Sequence, residues 1–232
     1  WVFAVCFVLD DLRYYWFHRF SHRIRWAWAA HVNHHTSQHY NLSTALRQTW
    51  TGVLTGMFVL SVPLVLLGFH PGLIAFANGF NLVYQFWIHT EVIKRLPKWF
   101  EAVFNTPSHH RVHHATNARY LDANYAGTLI IWDRLFGTFV AEDDRTVLKY
   151  GIVQNLATFN PLKIAFHEWI NMLRDAARPG LALRHRAAYL FAPPGWSHDN
   201  SRRTSASIKA EFARRHPDQA GTPGLPLLGP IS

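Results

Sequence analysis

Three clusters of histidine decide most of what this chain can fold into. Twelve of its sixteen histidines lie between His18 and His114, nine of them in tight groups: HRFSH (His18, His22), HVNHH (His31, His34, His35) and HHRVHH (His109, His110, His113, His114). A further one, His89, stands at the end of an apolar run. On a helix, residues three and four apart share a face. HxxxH therefore aims two imidazoles at one point, and HxxHH aims three. A lone HxxxH is ordinary surface chance, but three boxes in less than half of the chain, separated by membrane-length segments, point to metal binding. Neutral imidazole ligates iron, zinc and copper. Eight or more imidazoles exceed what one tetrahedral zinc takes, which makes two metal ions the natural reading.

Composition narrows the setting. At 232 residues the chain can form one domain, or one domain with a tail. It opens at Trp1 in mid-hydrophobic run, so the expectation is an N-terminally truncated piece in which Trp1 to Leu9 ends a spanning helix. Its single cysteine, Cys6, rules out an internal disulfide. A net charge of +9 with only 16% charged and 15% aromatic residues suits a membrane protein whose basic loops face the cytosol and anionic headgroups. Residues 174–216 carry nine Arg/Lys against three Asp/Glu, but no nucleic-acid-binding motif accompanies them. The expected partner is a membrane surface, not nucleic acid.

Asp10, Asp11, Arg13 and His18 follow the first apolar run, so a spanning helix leaves the bilayer there and continues as a polar helix carrying the first box. Asn41 caps the next helix, LSTALRQ. Trp50 to Phe69 is an uncharged run of 20 residues, about 30 Å as a helix, and is predicted to span the membrane with a kink at Pro63 and close packing at Gly52 and Gly56. GFHPG (Gly68 to Gly72) is a turn, with His70 read as a solvated loop residue. Leu73 to Ile88 then returns across the membrane, its Asn78, Asn81 and Gln85 forming a polar stripe toward neighbouring helices. Two spans bring the boxes and His89 to one face, shared with Arg19, Arg23, Arg25, Arg47, Lys94, Arg95 and Lys98 and therefore cytosolic.

After the third box, Asp122, Asn124 and Asp133 are candidates to orient the ligand imidazoles from behind. Asn160 and Pro161 start a helix whose Leu162, Phe166, Trp169 and Leu173 stripe would lie on headgroups. The fold class expected is all-α: an integral membrane helical bundle with a histidine-rich cap on its cytosolic face. Its parts are a catalytic domain over 1–140, a cytosolic or interfacial helical extension over 141–199, and a flexible basic, Pro/Gly-rich tail over 200–232.

The three boxes, in this order around a two-span hairpin, resemble the fatty acid hydroxylase superfamily, also called the sterol desaturase family. NYAGTLIIWDRLFGTF is similar to that family's segment after the last box, and QHYNLSTALRQ, HTEVIKRLPKWFEAVFNTPSHHRVHH and the late PPGWS look most like its alkylglycerol monooxygenase branch. The resemblance runs roughly from Asp10 to Trp196. It implies an integral membrane, multi-pass enzyme that uses O2 and two iron ions to hydroxylate or desaturate a lipid. It also implies that His18, His22, His31, His34, His35, His110, His113 and His114 are metal ligands, with His89 an additional one and His109 beside the pattern. Electrons must come from outside, from a redox protein or, as the branch suggests, tetrahydrobiopterin.

Rival classes fit less well. A zinc protease would want HExxH, a ferritin-like site ExxH pairs, and neither occurs. A histidine-rich metal transporter would place ionisable ligands near the membrane midplane, whereas both expected spans are free of His, Asp and Glu. A non-catalytic lipid-binding member of the same fold stays open as an alternative, although complete boxes argue against lost chemistry.

Overall fold

The computed structural model describes residues 1–217. They are built from helices and connecting segments, with two isolated antiparallel bridges (Phe104 to Leu129, Ala115 to Tyr150) and no strand among them. Helix α1 (Val2–Arg23) runs without a break from the apolar N-terminal turns into the first box, as expected. It packs against α2 (Arg25–His35), which carries the second box, and against α5 (Pro71–Ile88), which ends just before His89. The third box is itself a short helix, α7 (Pro107–His114), begun by a proline that the first turn accommodates.

Two small apolar clusters hold this frame at its ends. Cys6, Leu64, Ile74 and Ala77 are buried together where α1 meets α5 and α4 (Val62–Leu66). Ala29 and Ala30 of α2 receive Trp169 and Met172 of α9 (Pro161–Ala176), the small residues allowing close approach. The second junction is locked by charge: Arg25, 4% exposed, donates to Glu168 (2.7 Å) and Asp175 (2.9 Å), and Asp175 also receives Arg178 and Arg202. A buried guanidinium is tolerated because its charge is paired and its donors used.

Of the α5 polar stripe, Asn81 and Gln85 face α1, as their spacing indicated, while Asn78 makes no bond to it among the described residues. Asp11 is fully buried and accepts from Asn81 Nδ2 (2.6 Å), the backbone N–H groups of Thr128 (2.8 Å) and Leu129 (3.0 Å), and Trp132 Nε1 (2.9 Å). Gln85 donates to Asn81 Oδ1 (2.6 Å) and accepts from the Tyr14 hydroxyl (2.8 Å). Gly127 passes so close to this hub that a Cβ there would collide with Asn81 and Tyr14. One carboxylate thus ties α1, α5 and the segment after the third box together.

Several expectations change. Trp50 to Phe69 is not one helix: it forms 3₁₀ turns at Gly52–Thr55 and Met57–Ser61 and then α4, with Gly56 in the left-handed region (φ +71°) between them. Gly56 breaks a helix here instead of packing one, Pro63 starts α4, and the Thr55 hydroxyl donates to the Gly52 carbonyl. No helix among the described residues is long and apolar enough to cross a membrane. The α9 stripe is split, with Trp169 buried against α2 while Leu162, Phe166 and Leu173 remain exposed. The stretch expected as a flexible tail from residue 200 contains α11 (Ser205–Arg215), capped by the Thr204 side chain; residues 218–232 of that expectation lie outside the described residues. His70, placed in a loop by sequence, caps α5 by accepting from the Gly72 N–H.

Replacing Asp11 by Ala strands four buried donors. Unfolding of the detergent-solubilised protein should show a loss on the order of 3 kcal/mol or more, and Asp11→Asn should recover only part of it. A melting curve of Asp11→Ala that overlays the unsubstituted protein's would contradict the hub assignment.

Candidate metal centre

The structure draws nine histidines of the sequence analysis into two adjoining groups. His18, His22, His31, His35 and His113 form one, and His34, His89, His110 and His114 the other; within each, one nitrogen per ring lies within 4.8 Å of all the rest. The first takes its rings from α1, α2 and α7, the second from α2, α7 and the end of α5. The groups touch: His35 stacks on His114 with ring centroids 4.4 Å apart, and His110 stacks on His113 at 5.2 Å.

Adjacent histidines serve different groups. Successive helix residues are about 100° apart around the axis, so His34 and His35 diverge, and so do His113 and His114. Each of these two doublets therefore feeds both groups at once, while HxxxH (His18, His22) and the spacing of His31 and His35 fill one. His109 belongs to neither. It is buried on the opposite side of α7 against Phe139, where burial pushes its pKa down to about 3.

Backbone carbonyls fix the rings from behind. His18 Nδ1 donates to Tyr125 O (2.8 Å), His89 Nδ1 to Gln85 O (2.7 Å) and His113 Nδ1 to Ala123 O (3.0 Å). A ring whose proton sits on Nδ1 presents a lone pair at Nε2. Those Nε2 atoms face other imidazole nitrogens: His18 meets His31 at 3.1 Å, and His89 meets His34 at 3.3 Å and His110 at 3.0 Å. His22, His113 and His114 have buried Nε2 atoms with no partner at all. Orphaned buried acceptors are costly. A cation at each convergence point satisfies them, so the residues present fit two metal ions, with neutral nitrogen the donor.

The acidic and amide candidates stand one step further back than expected. Asp133 accepts from the backbone N–H groups of Tyr125 (2.8 Å) and Ala126 (2.7 Å) and from the Thr138 hydroxyl (2.6 Å), so it sets the Tyr125 carbonyl that holds His18. Burial raises its pKa to about 6. Asn124 bridges the His109 carbonyl and Val140, touching no ring of the two groups. Asp122 comes nearest, 3.9 Å from His22 Nδ1, and is braced by Arg23 at 3.4 Å. Both Asp122 and Asn124 hold left-handed backbone (φ +53° and +55°), which turns the chain sharply under α7. Sequence reasoning missed the role of Tyr40, which donates to the Ile88 carbonyl (3.0 Å) and lies against His89 and His114.

A cavity of about 900 Å³ opens beside His31, His34 and His89. Its walls include Phe17, Val53, Phe58, Leu82 and Phe86, with Arg13, Gln48, Asn78 and Gln85 among the polar side chains. Three of the converging rings therefore border a chamber whose surface is mostly apolar.

The geometry brings two histidine-only groups that fit metal binding to the head of a hydrophobic cavity. A family profile described as fatty acid hydroxylase matches residues 3–138, the span that holds all nine converging rings, and the chain belongs to that family. It is 46% identical over 197 residues to alkylglycerol monooxygenase of Homo sapiens, covering 84% of this chain and 43% of that protein. To alkylglycerol monooxygenase of Danio rerio it is 49% identical over 197 residues (85% and 43%), and to that of Xenopus tropicalis 42% over 198 residues (84% and 43%). The chain spans less than half the length of these relatives. No solved structure matches it.

Burial holds the rings neutral: His89 is pushed down to about 4, and the other eight lie well below the ordinary value of 6.5. A folded pKa below the unfolded one means that the unfolded chain binds more protons, so stability falls as pH falls. The melting temperature of metal-free protein should be flat above about pH 7 and drop as the pH is lowered from about 6.5 toward 4. A rise on acidification would contradict the buried, neutral cluster.

Proposed function

We propose that this chain is the catalytic part of a membrane-bound di-iron monooxygenase that uses O2 and external electrons to hydroxylate a C–H bond of a long-chain lipid. The observation that carries it is the convergence of nine imidazoles, in two touching groups, at the head of an apolar cavity. The proposed ligands are His18, His22, His31, His35 and His113 for one iron and His34, His89, His110 and His114 for the other. Bound there, the pair of irons would supply O2 activation and the oxidising power that an unreactive C–H bond requires.

The protein's own part is placement. Carbonyls of Tyr125, Gln85 and Ala123 hold three rings in the tautomer that leaves Nε2 free, and ring orientation set from behind raises ligand quality. The Tyr14 to Gln85 hydrogen bond fixes the wall between cavity and hub, and the Phe17, Phe58, Leu82 and Phe86 side chains keep water from the reacting carbon. The relatives' names point to an alkylglycerol as the lipid, and the same branch to tetrahydrobiopterin as reductant, with a redox protein the other donor. Hydroxylation beside an ether oxygen leads to cleavage of the ether, which distinguishes this outcome from desaturation of an acyl chain.

Membrane attachment, with the histidine face toward the cytosol, belongs to the same reading. Exposed apolar side chains support it: Phe3, Val5 and Val8 on α1, Val62, Val65 and Leu66 on α4, and Phe76, Phe80 and Val83 on α5. Surfaces of this kind mark contact with lipid or protein.

Elemental analysis of the purified full-length protein should give close to two irons per chain, and one zinc without iron would refute the assignment. His34→Ala and His113→Ala should each lower bound iron and reduce turnover of a glyceryl ether by at least a hundredfold while leaving membrane insertion intact. Unchanged product formation would remove those residues from the site.

A further inference from the structure

One charged residue in the cavity has no task in the chemistry above. Arg13 lies on α1 five residues before His18, roughly 7–8 Å along the helix axis, and lines the chamber together with Tyr14, His31, His34 and His89. Its side chain is 9% exposed, and that of its partner Asp10 is 1% exposed. Arg13 Nε donates to Asp10 Oδ1 at 2.6 Å, and this is the guanidinium's single hydrogen bond among the described residues. Nη2 is buried without a partner. Arginine carries five N–H donors in a fixed fork, so most of this one's hydrogen-bonding capacity is unspent beside a chamber that Gln48, Thr49, Thr55, Ser61, Asn78 and Gln85 also line. Unused buried donors are costly, and an oxygen brought in by a ligand removes the cost.

We propose that Arg13, oriented and neutralised by Asp10, is a specificity-determining residue that donates to an uncharged oxygen at the polar end of the lipid and so sets the neighbouring carbon before the metal centre. The inference rests on the lipid-oxidising reading above and names how that site chooses its substrate. Two features select the ligand. The Arg13 and Asp10 pair is already neutral, so an anionic headgroup would leave net charge in a low-dielectric chamber, whereas an ether or hydroxyl oxygen would not. Arg13 lines the same chamber as His31, His34 and His89, so an oxygen held there and the chain bonded to it would share that chamber with the imidazoles. A glyceryl ether offers such an uncharged oxygen next to its chain, and an alkane offers none.

Binding of three probes to the full-length protein in mixed micelles tests this: 1-hexadecylglycerol, hexadecane and hexadecyl phosphate. Unsubstituted protein should prefer the glyceryl ether over the alkane by on the order of ten- to a hundredfold, as a hydrogen bond to a charged donor provides, and should bind the phosphate more weakly than the ether. Arg13→Gln should abolish the preference for the ether while leaving alkane binding and metal content unchanged, and Arg13→Lys should restore part of it. A preference that survives Arg13→Gln overturns the proposal, as does tighter binding of the phosphate. If the Gln variant does not fold, Arg13→Lys decides, because undiminished ether binding by a side chain that lacks the fork would equally overturn it. Arg13-dependent binding of the ether without any oxidised product would sink the enzyme reading and leave this one standing.

Discussion

Nine imidazoles packed together, seven of them buried and two (His31 and His34) bordering the cavity, form the constraint that the rest of the structure answers. Each ring directs a nitrogen at others like itself, and His18, His89 and His113 have the back nitrogen held by a carbonyl. Such an arrangement is unfavourable in isolation, since lone pairs face one another at 3.0–3.3 Å. Two cations bound there would relieve that cost, because metal binding to such a site contributes directly to folding. The surrounding protein then has one duty, to hold three helices and one helix end in register.

The register is achieved with few parts. Asp11 joins α1 to α5 and to the segment after the third box, and Arg25 joins α2 to α9. Asp133 gathers the turn that supplies the carbonyl behind His18. α11, which follows the expected domain boundary, reaches the same region through Lys209, whose Nζ donates to the Leu121 carbonyl at 3.0 Å. The buried carboxylates thus act on the backbone that orients the rings, not on the rings.

Much of this was legible in the sequence, for physical reasons that differ from element to element. The boxes declared themselves because i, i+3 and i, i+4 spacing has a single geometric meaning on a helix, and the Asn81 and Gln85 stripe did so for the same reason. The spacing rule aims all three rings of HxxHH at one point, whereas the 100° step of the helix sends His31 and His35 to one group and His34 to the other. Carbonyl partners left no trace, since any residue supplies one. Hydropathy misjudged Trp50 to Phe69: an uncharged run satisfies a length criterion, but Gly56, Ser61 and Pro63 decide the backbone. Arg13 gave no signal either, because its place in a cavity depends on α5 and on the 3₁₀ turns, which lie far from it in the chain.

X-ray absorption at the iron edge of the full-length protein tests the central claim most directly. Five rings in one group and four in the other predict a nitrogen first shell with the outer-ring scattering of imidazole, averaging between four and five rings per iron, and an iron neighbour beyond it. A shell dominated by sulfur or carboxylate oxygen, or a single isolated metal with fewer than four imidazoles, would contradict it.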